Sequence, residues 1–220
     1  RMIPLSVTTS HSKTILVIGH DGAQNSRADE HLVLGHYAPA KQTLLARKAD
    51  QRPFVLSIDD LLQHVVVYAQ IGSGASAWLM DHAQQSIRMG WPVLYMDFLS
   101  SPGKRDQWNS LTNPFAHRWK TDGPDGGIHP AYVCADDAAL SDFVRTVAGL
   151  LSSGFSAKNR SHTLVILDGV PDTASMETVS NLLFQCRSAK IGLMLRFCAH
   201  RDKDFQDMLT ANARTHVAFA

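Results

Sequence analysis

The residues best placed to do chemistry form a short glycine-rich turn. The turn comprises Gly72, Ser73, Gly74, Ala75 and Ser76. It follows an apolar, β-branched run and precedes a segment with helical spacing, so a strand leads into a helix through it. Glycine-rich turns in this position bind phosphate, because backbone N–H groups and the helix N-terminus face the anion. The sequence therefore predicts a phosphate-binding loop.

Two groups that a working loop needs are missing. Such a loop normally carries a lysine that reaches the terminal phosphates, followed by a Ser or Thr that binds magnesium. Ser76 stands at the magnesium position, but Ala75 occupies the lysine position and Ala69 replaces the first glycine. A laboratory lysine-to-alanine change would explain Ala75 but not Ala69. We predict a degenerate phosphate-binding loop, and the alternative is a glycine-rich turn that binds no nucleotide.

A candidate metal-binding carboxylate closes a second apolar run. Thr163 to Leu167 is predicted to be a buried strand, and Asp168 follows it. A carboxylate there would lie near the magnesium of a phosphate-binding loop. Enzymes of this type often continue with a glutamate that orients the attacking water, whereas this chain has Gly169. The alternative role for Asp168 is to cap the following turn.

Composition argues against several other classes of function. The 220 residues carry 21 basic and 20 acidic side chains, and a net charge of +1 does not support a chain-wide nucleic-acid surface. The 3 cysteines are too widely spaced for a disulfide framework and indicate a reducing compartment. The 11 histidines show no metal-binding spacing, so no metal site is expected. No apolar run reaches the roughly 18 residues that a membrane span needs.

Strands and helices alternate along the chain. We predict strands at Thr14 to Gly19, His31 to Gly35, Phe54 to Ser57, Val65 to Ala69, Pro92 to Phe98, Ala131 to Val133, Thr163 to Leu167, Gly192 to Cys198 and His216 to Ala220, and helices at Ala75 to Met89, Ala138 to Leu151 and Met176 to Ala189. Gly90 is expected to end the first of these helices. The strands on either side of that helix are expected to pair in parallel.

This alternation predicts an α/β fold with a mostly parallel central sheet and helices on both faces. We expect one domain over residues 1–220, with N-terminal strands and loops in 1–53 and an irregular excursion in 99–130. The basic and aromatic residues of the excursion either contact single-stranded nucleic acid or pack onto the domain. They are Lys104, Arg105, Trp108, Arg118, Trp119 and Lys120. A second basic group is expected at a subunit interface or in solvent, and comprises Arg196, Arg201, Lys203 and Arg214.

The order of these motifs resembles the nucleotide-binding domain of type IV secretion coupling proteins and their hexameric DNA-pumping relatives. In that family a sequence segment like Val55-Leu56-Ser57-Ile58-Asp59-Asp60-Leu61, with His64, precedes the strand that leads into the phosphate-binding loop. A later segment like Cys186 to Gly192 precedes a strand that bears a sensor glutamine, and this sensor position falls at His200 here. The resemblance covers about residues 34–97 and 163–219, and it implies a three-layer RecA-like P-loop NTPase fold.

The departures from the family pattern all point towards loss of ATPase activity. They are Ala69, Ala75, Gly169 and His200. Loss of a phosphate clamp or of a water-orienting group costs orders of magnitude in rate. We therefore expect no catalytic residue and predict a pseudo-ATPase, a RecA-like module of a conjugative DNA-transfer or type IV secretion apparatus that acts through protein contacts. Two alternatives remain open: an active motor ATPase for DNA or protein translocation, and a nucleotide-binding sensor without turnover.

The resemblance also sets expectations about partners and location. Other secretion or conjugation proteins are the expected partners, a homo-oligomer is an open alternative, and the net charge does not support DNA. No cofactor is expected, and weak binding of ATP with magnesium is the alternative. A cytoplasmic location is expected. The chain begins at Arg1, which suggests an excised fragment, and the resemblance implies an upstream anchor at the inner face of a membrane.

Overall fold

The computed structural model describes residues 3–8, 14–19, 32–37, 53–56, 58–113, 130–152 and 163–219. The strands are β1 (Ile3–Thr8), β2 (Thr14–Gly19), β3 (Leu32–Tyr37), β4 (Pro53–Leu56), β5 (Val65–Tyr68), β6 (Val93–Asp97), β7 (Ala131–Cys134), β8 (Thr163–Asp168), β9 (Ile191–Phe197) and β10 (Thr215–Phe219). The helices are α1 (Ile58–Leu61), α2 (Ala75–Arg88), α3 (Lys104–Thr112), α4 (Asp137–Ser152), α5 (Met176–Ser188) and α6 (Lys203–Asn212). None of these helices combines the length and the apolar character that a bilayer crossing requires.

The described strands form one sheet in the order β4-β3-β1-β2-β10-β5-β9-β8-β6-β7. The six strands from β10 to β7 are all parallel. The four N-terminal strands, β1 to β4, join this parallel part through β2, which pairs antiparallel with β10. The predicted α/β fold with a mostly parallel sheet is confirmed.

Apolar side chains cover both faces of the parallel part, which gives three layers. Side chains alternate between faces along a strand. Val65 and Val67 pack with the residues of α2, whereas Val66 packs with those of α5 and α6 on the opposite face. Because strands of this kind are buried on both faces, their sequences are continuous apolar runs rather than alternating ones. This explains why the central strands were predictable from the sequence.

Local sequence signals set the helix boundaries. Helix α2 ends before Gly90, whose φ of +83° is readily adopted only by glycine, and the Trp91 N–H donates to the Ser86 carbonyl at 2.9 Å. Helices α5 and α6 begin at side-chain caps, because Ser175 accepts from the Thr178 N–H and Asp202 accepts from the Phe205 N–H. The prediction that Gly90 ends α2 is confirmed.

Several elements differ from the expectations. Strands β5 and β6 are parallel but are not neighbours, since β9 and β8 lie between them. The expected irregular excursion contains α3, a helix of 9 residues that buries Trp108. Strand β1 and helix α6 had not been expected. The division of the chain into one domain stays a prediction.

Candidate functional site

The glycine-rich turn lies at the carboxyl end of β5 and leads directly into α2. Gly72 and Gly74 have φ angles of +84° and +88°, in the region that favours glycine. The Ser73 N–H donates to the Gln70 carbonyl at 3.2 Å, and the Ala75 N–H lies 3.4 Å from the Ser73 hydroxyl. Ala75 is fully buried. The predicted loop residues, Gly72 to Ser76, therefore form a strand-to-helix turn at the edge where parallel α/β sheets bind ligands.

Two carboxylates end neighbouring strands of the same edge. Asp97 and Asp168 are the last residues of β6 and β8 and lie opposite one another in the strand register. Both side chains are completely buried. Buried carboxylates are costly unless they are paired and hydrogen-bonded, so partners are required here. The predicted site residue Asp168 is thus at the expected edge, and Asp97 joins it.

Arg196 connects the glycine-rich turn to Asp168. It lies on β9, between β5 and β8, and is 1% exposed. One of its terminal nitrogens, Nη1, donates to Ser76 Oγ at 2.6 Å and to Asp168 Oδ1 at 2.8 Å. Its other nitrogens, Nη2 and Nε, donate to the carbonyls of Gln70 at 2.9 Å and Ala69 at 3.2 Å. A single guanidinium therefore joins all of these groups.

Lys104 supplies a second internal cation. It is the first residue of α3 and is 8% exposed. Its Nζ donates to Asp97 Oδ1 at 3.0 Å and to Asp168 Oδ2 at 2.7 Å. The side chains of Arg196, Lys104, Asp97 and Asp168 then carry two positive and two negative charges. We call these four side chains the charge network, and its net charge is zero.

Hydroxyl and backbone donors complete the coordination of both carboxylates. The Tyr95 hydroxyl donates to Asp168 Oδ2 at 2.7 Å, and the Tyr132 hydroxyl donates to Asp97 Oδ2 at 2.6 Å. The Leu99 N–H donates to Asp97 Oδ1 at 3.0 Å. Because every carboxylate oxygen has a short donor, burial of the two charges is compensated.

The same contacts set the protonation of Asp168. Burial alone would raise the pKa of this carboxyl group. The hydrogen bond and charge of Lys104, the Tyr95 hydrogen bond and the charge of Arg196 outweigh burial and hold the pKa below its ordinary value. Asp168 is therefore an anion at neutral pH, as the ion pairs require.

The residues of the site do not fit a nucleotide-bound magnesium ion. Magnesium requires oxygen ligands in near-ideal octahedral geometry. The two protein groups that would provide them, the Ser76 hydroxyl and the Asp168 carboxylate, both accept hydrogen bonds from the Arg196 guanidinium. A dication in contact with them would also face the charges of Arg196 and Lys104. The arrangement therefore does not supply ligands for a magnesium ion.

Gly169, where the resemblance places a catalytic glutamate, packs closely against the side chain of Leu99. Its φ is +89°, and a Cβ atom added there would lie 2.5 Å from Cδ2 of Leu99 and 2.6 Å from its Cγ. Non-bonded carbon atoms essentially never approach this closely. A glutamate at this position would require both a strained backbone and a displaced Leu99.

The predicted sensor residue His200 lies outside the charge network. Its exposed ring is 3.1 Å from the side-chain nitrogen of Gln206. The polar residue of β9 that reaches the turn is Arg196 instead. Sequence reasoning expected Arg196 at a subunit interface or in solvent, and that expectation is wrong because the side chain is buried. An arginine inside an apolar strand was the signal that could have revealed it.

The remaining basic residues separate into different roles. Arg201 donates to the carbonyls of Pro171 and Asp172, and Arg214 pairs with Asp60 at 3.2 Å. Trp108 is 4% exposed and lies beside Tyr95 and Tyr132. Its side chain therefore packs inside the domain and does not contact nucleic acid. Lys104 is buried in the charge network. The Arg105 guanidinium lies over the Tyr132 ring, 5.9 Å from its centroid. The remaining members of that predicted basic and aromatic group, Arg118, Trp119 and Lys120, lie outside the described residues.

No group of three or more His, Cys, Asp or Glu side chains that could hold a metal ion occurs in the described part of the chain. The two acidic residues of the site are instead paired with the protein's own cations.

The fold is similar to those of solved secretion and conjugation ATPases. A match to the cytoplasmic domain of the type VII secretion ATPase EccC from Thermomonospora curvata has 13% identity and a TM-score of 0.52, and covers 77% of this chain and 20% of that one. The pCW3 conjugation coupling protein TcpA, in monomer form with ATPγS, is 16% identical with a TM-score of 0.50, over 99% of this chain and 65% of that one. EssC (ATPases 2 and 3) from Geobacillus thermodenitrificans is 12% identical with a TM-score of 0.51, over 77% and 34%.

At these identities the likeness establishes the RecA-like α/β fold and nothing finer. This chain spans between 20% and 65% of the length of those three proteins. No protein-family profile and no curated protein matches the sequence.

Proposed function

We propose that this chain is a catalytically inactive RecA-like module of a conjugative DNA-transfer or type IV secretion apparatus, and that it acts through protein contacts. One observation carries the proposal: the Arg196 guanidinium joins Ser76 to Asp168 where a P-loop ATPase holds its magnesium. The module would work in the cytoplasm beside other proteins of the apparatus. The similarity of its fold to secretion and conjugation ATPases supports this context.

Inactivity follows from what nucleotide binding would have to displace. A phosphate-bound magnesium ion would need Arg196 and Lys104 to leave two buried carboxylates. Each displaced cation would lose its buried carboxylate partners, and a buried charge without a partner is costly. The loop also lacks the lysine ammonium that would stabilise a bound phosphate, since residue 75 is alanine. Weaker nucleotide binding and the loss of catalytic groups therefore both lower the expected rate of ATP hydrolysis.

A nucleotide sensor without turnover is the second candidate. The observation that favours it is the turn itself, in which Gly72 and Gly74 keep the backbone angles of a loop that wraps an anion. In this case a nucleotide would bind at the loop without a magnesium ion at Asp168. A binding and turnover assay separates the two candidates.

The test titrates the purified protein with a fluorescent ATP analogue and measures phosphate release, with and without magnesium and DNA. The expected result is neither saturable binding nor release. An Asp168→Asn variant serves as the matched control, because it keeps the size of the side chain. Magnesium-dependent turnover that this substitution abolishes would overturn the proposal and establish an active motor. Saturable binding without turnover would instead establish the sensor.

A further inference from the structure

A second site lies at the amino ends of the parallel strands, opposite the charge network. A cavity of about 480 Å³ opens there, between the turn after α1, the C-terminal ends of α5 and α6, and the residue before β10. Its lining residues in the described structure are Gln63, Arg187, Thr210, Ala211, Asn212, Ala213 and Arg214. This lining includes two arginines and, among the described residues, no carboxylate.

Each arginine is anchored through one nitrogen. Arg187 Nη2 donates to the Asn212 carbonyl at 2.6 Å, and Arg214 Nε lies 3.2 Å from a carboxylate oxygen of Asp60. Within the described part of the chain, Arg187 has no carboxylate partner. Among the described residues at the cavity, two guanidiniums and one carboxylate leave one surplus positive charge. Such a charge distribution favours an anionic ligand, and a guanidinium fork matches a carboxylate well.

Backbone bonds hold the wall of the cavity in place. The Arg214 N–H donates to the Gln63 carbonyl at 2.8 Å, and the Thr215 N–H donates to the His64 carbonyl at 3.3 Å. These bonds tie the residue before β10 to the turn before β5. Because the backbone positions are already fixed, a ligand would lose less affinity to ordering of the site.

An exposed aromatic side chain lies one helical turn from Arg187. Phe184 is 68% exposed and stands three positions before Arg187 on α5, so the two side chains share one face of the helix. Aromatic residues and arginine are the types most enriched in the energetically important parts of protein interfaces. The surface therefore offers an apolar contact beside a positive cavity.

We propose that the cavity and Phe184 bind an acidic peptide segment of a partner protein that carries a large apolar side chain next to its carboxylates. This rests on the proposed function only for the premise that the module acts through protein contacts. Nucleic acid fits less well, because the site offers one surplus charge beside a single exposed aromatic side chain rather than a basic track with several phosphate contacts.

The test measures fluorescence anisotropy of a short labelled peptide that combines several glutamates with one leucine. The unmodified protein should bind it with an affinity that falls as salt rises. Arg187→Glu should weaken binding at least about tenfold through charge repulsion, and Phe184→Ser about tenfold through loss of the apolar contact. Arg145→Glu is the control for overall charge, because Arg145 is an exposed residue of α4, and binding should not change.

Four comparisons decide the outcome. A lysine-rich peptide of equal length should not bind, and inorganic phosphate should compete only weakly. Equal affinity of the unmodified protein and the folded Arg187→Glu and Phe184→Ser variants would overturn the proposal, as would preferential binding of a single-stranded oligonucleotide. The assay contains no nucleotide, so ATP turnover in the separate assay would overturn the proposed function while leaving this result intact.

Discussion

Guanidinium groups occur at both ends of the parallel sheet, and they serve different purposes. At the carboxyl end Arg196 is 1% exposed, makes four polar contacts within the protein and belongs to a network with no net charge. At the amino end Arg187 makes one described hydrogen bond and lines an open cavity. The comparison shows that burial and bonding, rather than residue type, decide whether a cation supports the fold or is available to a ligand.

The largest expected effect is at the carboxyl end. Arg196→Met keeps most of the side-chain volume but leaves Asp168 without one of its two ion pairs and Ser76 without its donor. We expect the free energy of unfolding to fall by about 3–5 kcal/mol, the cost of breaking a buried ion pair. Urea denaturation followed by circular dichroism measures it.

Arg145→Met on the exposed face of α4 is the matched control for that change. Its ion pair with Asp142 is solvent-exposed, so the expected loss is below about 0.5 kcal/mol. An Arg196→Met loss as small as that of the control would mean that the charge network does not support the fold.

The sequence predicted the strands of the charge network better than the network itself. Apolar runs such as Thr163 to Leu167 identify strands that are buried on both faces, and Asp168 was placed correctly at the end of one. The partners of Asp168 could not be predicted from the sequence. Arg196 and Lys104 are 28 and 64 positions away, and only the strand order brings them together. Strand order is a global property, and this is also why β5 and β6 were wrongly paired.

Helix α3 shows a second limit of sequence reasoning. Its 9 residues include few apolar side chains, so no apolar stripe with helical spacing marks it. Turn-forming residues around it, such as Gly103 with a φ of +78°, favoured an irregular segment. Packing of Trp108 against Tyr95 and the ion pairs of Lys104 hold the helix on the sheet instead.

A buried histidine at the amino end should make stability depend on pH. His64 is fully buried; its Nε2 lies 2.7 Å from the Leu183 carbonyl and its Nδ1 accepts from the Leu193 N–H at 3.3 Å. Burial, which outweighs the Leu183 hydrogen bond, lowers its pKa from 6.5 to about 4, with a further contribution from the charge of Arg187. The unfolded chain therefore binds a proton at a higher pH than the folded one. Stability should be complete above pH 6.5 and fall by about 3 kcal/mol as the pH drops to about 4.

Denaturation curves measured across this pH range test the expectation, with His64→Asn as the comparison. Asparagine tolerates the positive φ of 66° at this position and does not titrate. The variant should lose most of the pH dependence between pH 6.5 and 4, while His216, whose pKa burial also lowers, leaves a residual slope. The lowered pKa of Asp168 acts in a separate window below its ordinary value of 3.8. An unchanged slope in His64→Asn would contradict the assignment.

At the carboxyl end, the close packing of Gly169 against Leu99 can be tested directly. Gly169→Ala should lower the free energy of unfolding by about 2–3 kcal/mol, because the new Cβ meets Leu99 and the backbone keeps a positive φ. In a Leu99→Ala background the steric part disappears, and the same substitution should cost only about 1–2 kcal/mol. Thermal and urea denaturation of the four proteins gives this difference. Equal costs in both backgrounds would show that Leu99 does not exclude a side chain there.

The smallest expected effect is at the amino end, where Arg187→Ala removes one hydrogen bond from an exposed guanidinium. We expect the free energy of unfolding to change by about 0.5 kcal/mol or less, as at other surface positions. Urea denaturation alongside Arg196→Met makes the contrast direct, since both variants remove one guanidinium. A loss for Arg187→Ala that approaches the loss for Arg196→Met would show that Arg187 is a structural cap of α6. In that event it would not be free to bind an acidic partner, and the distinction between the two ends would fail.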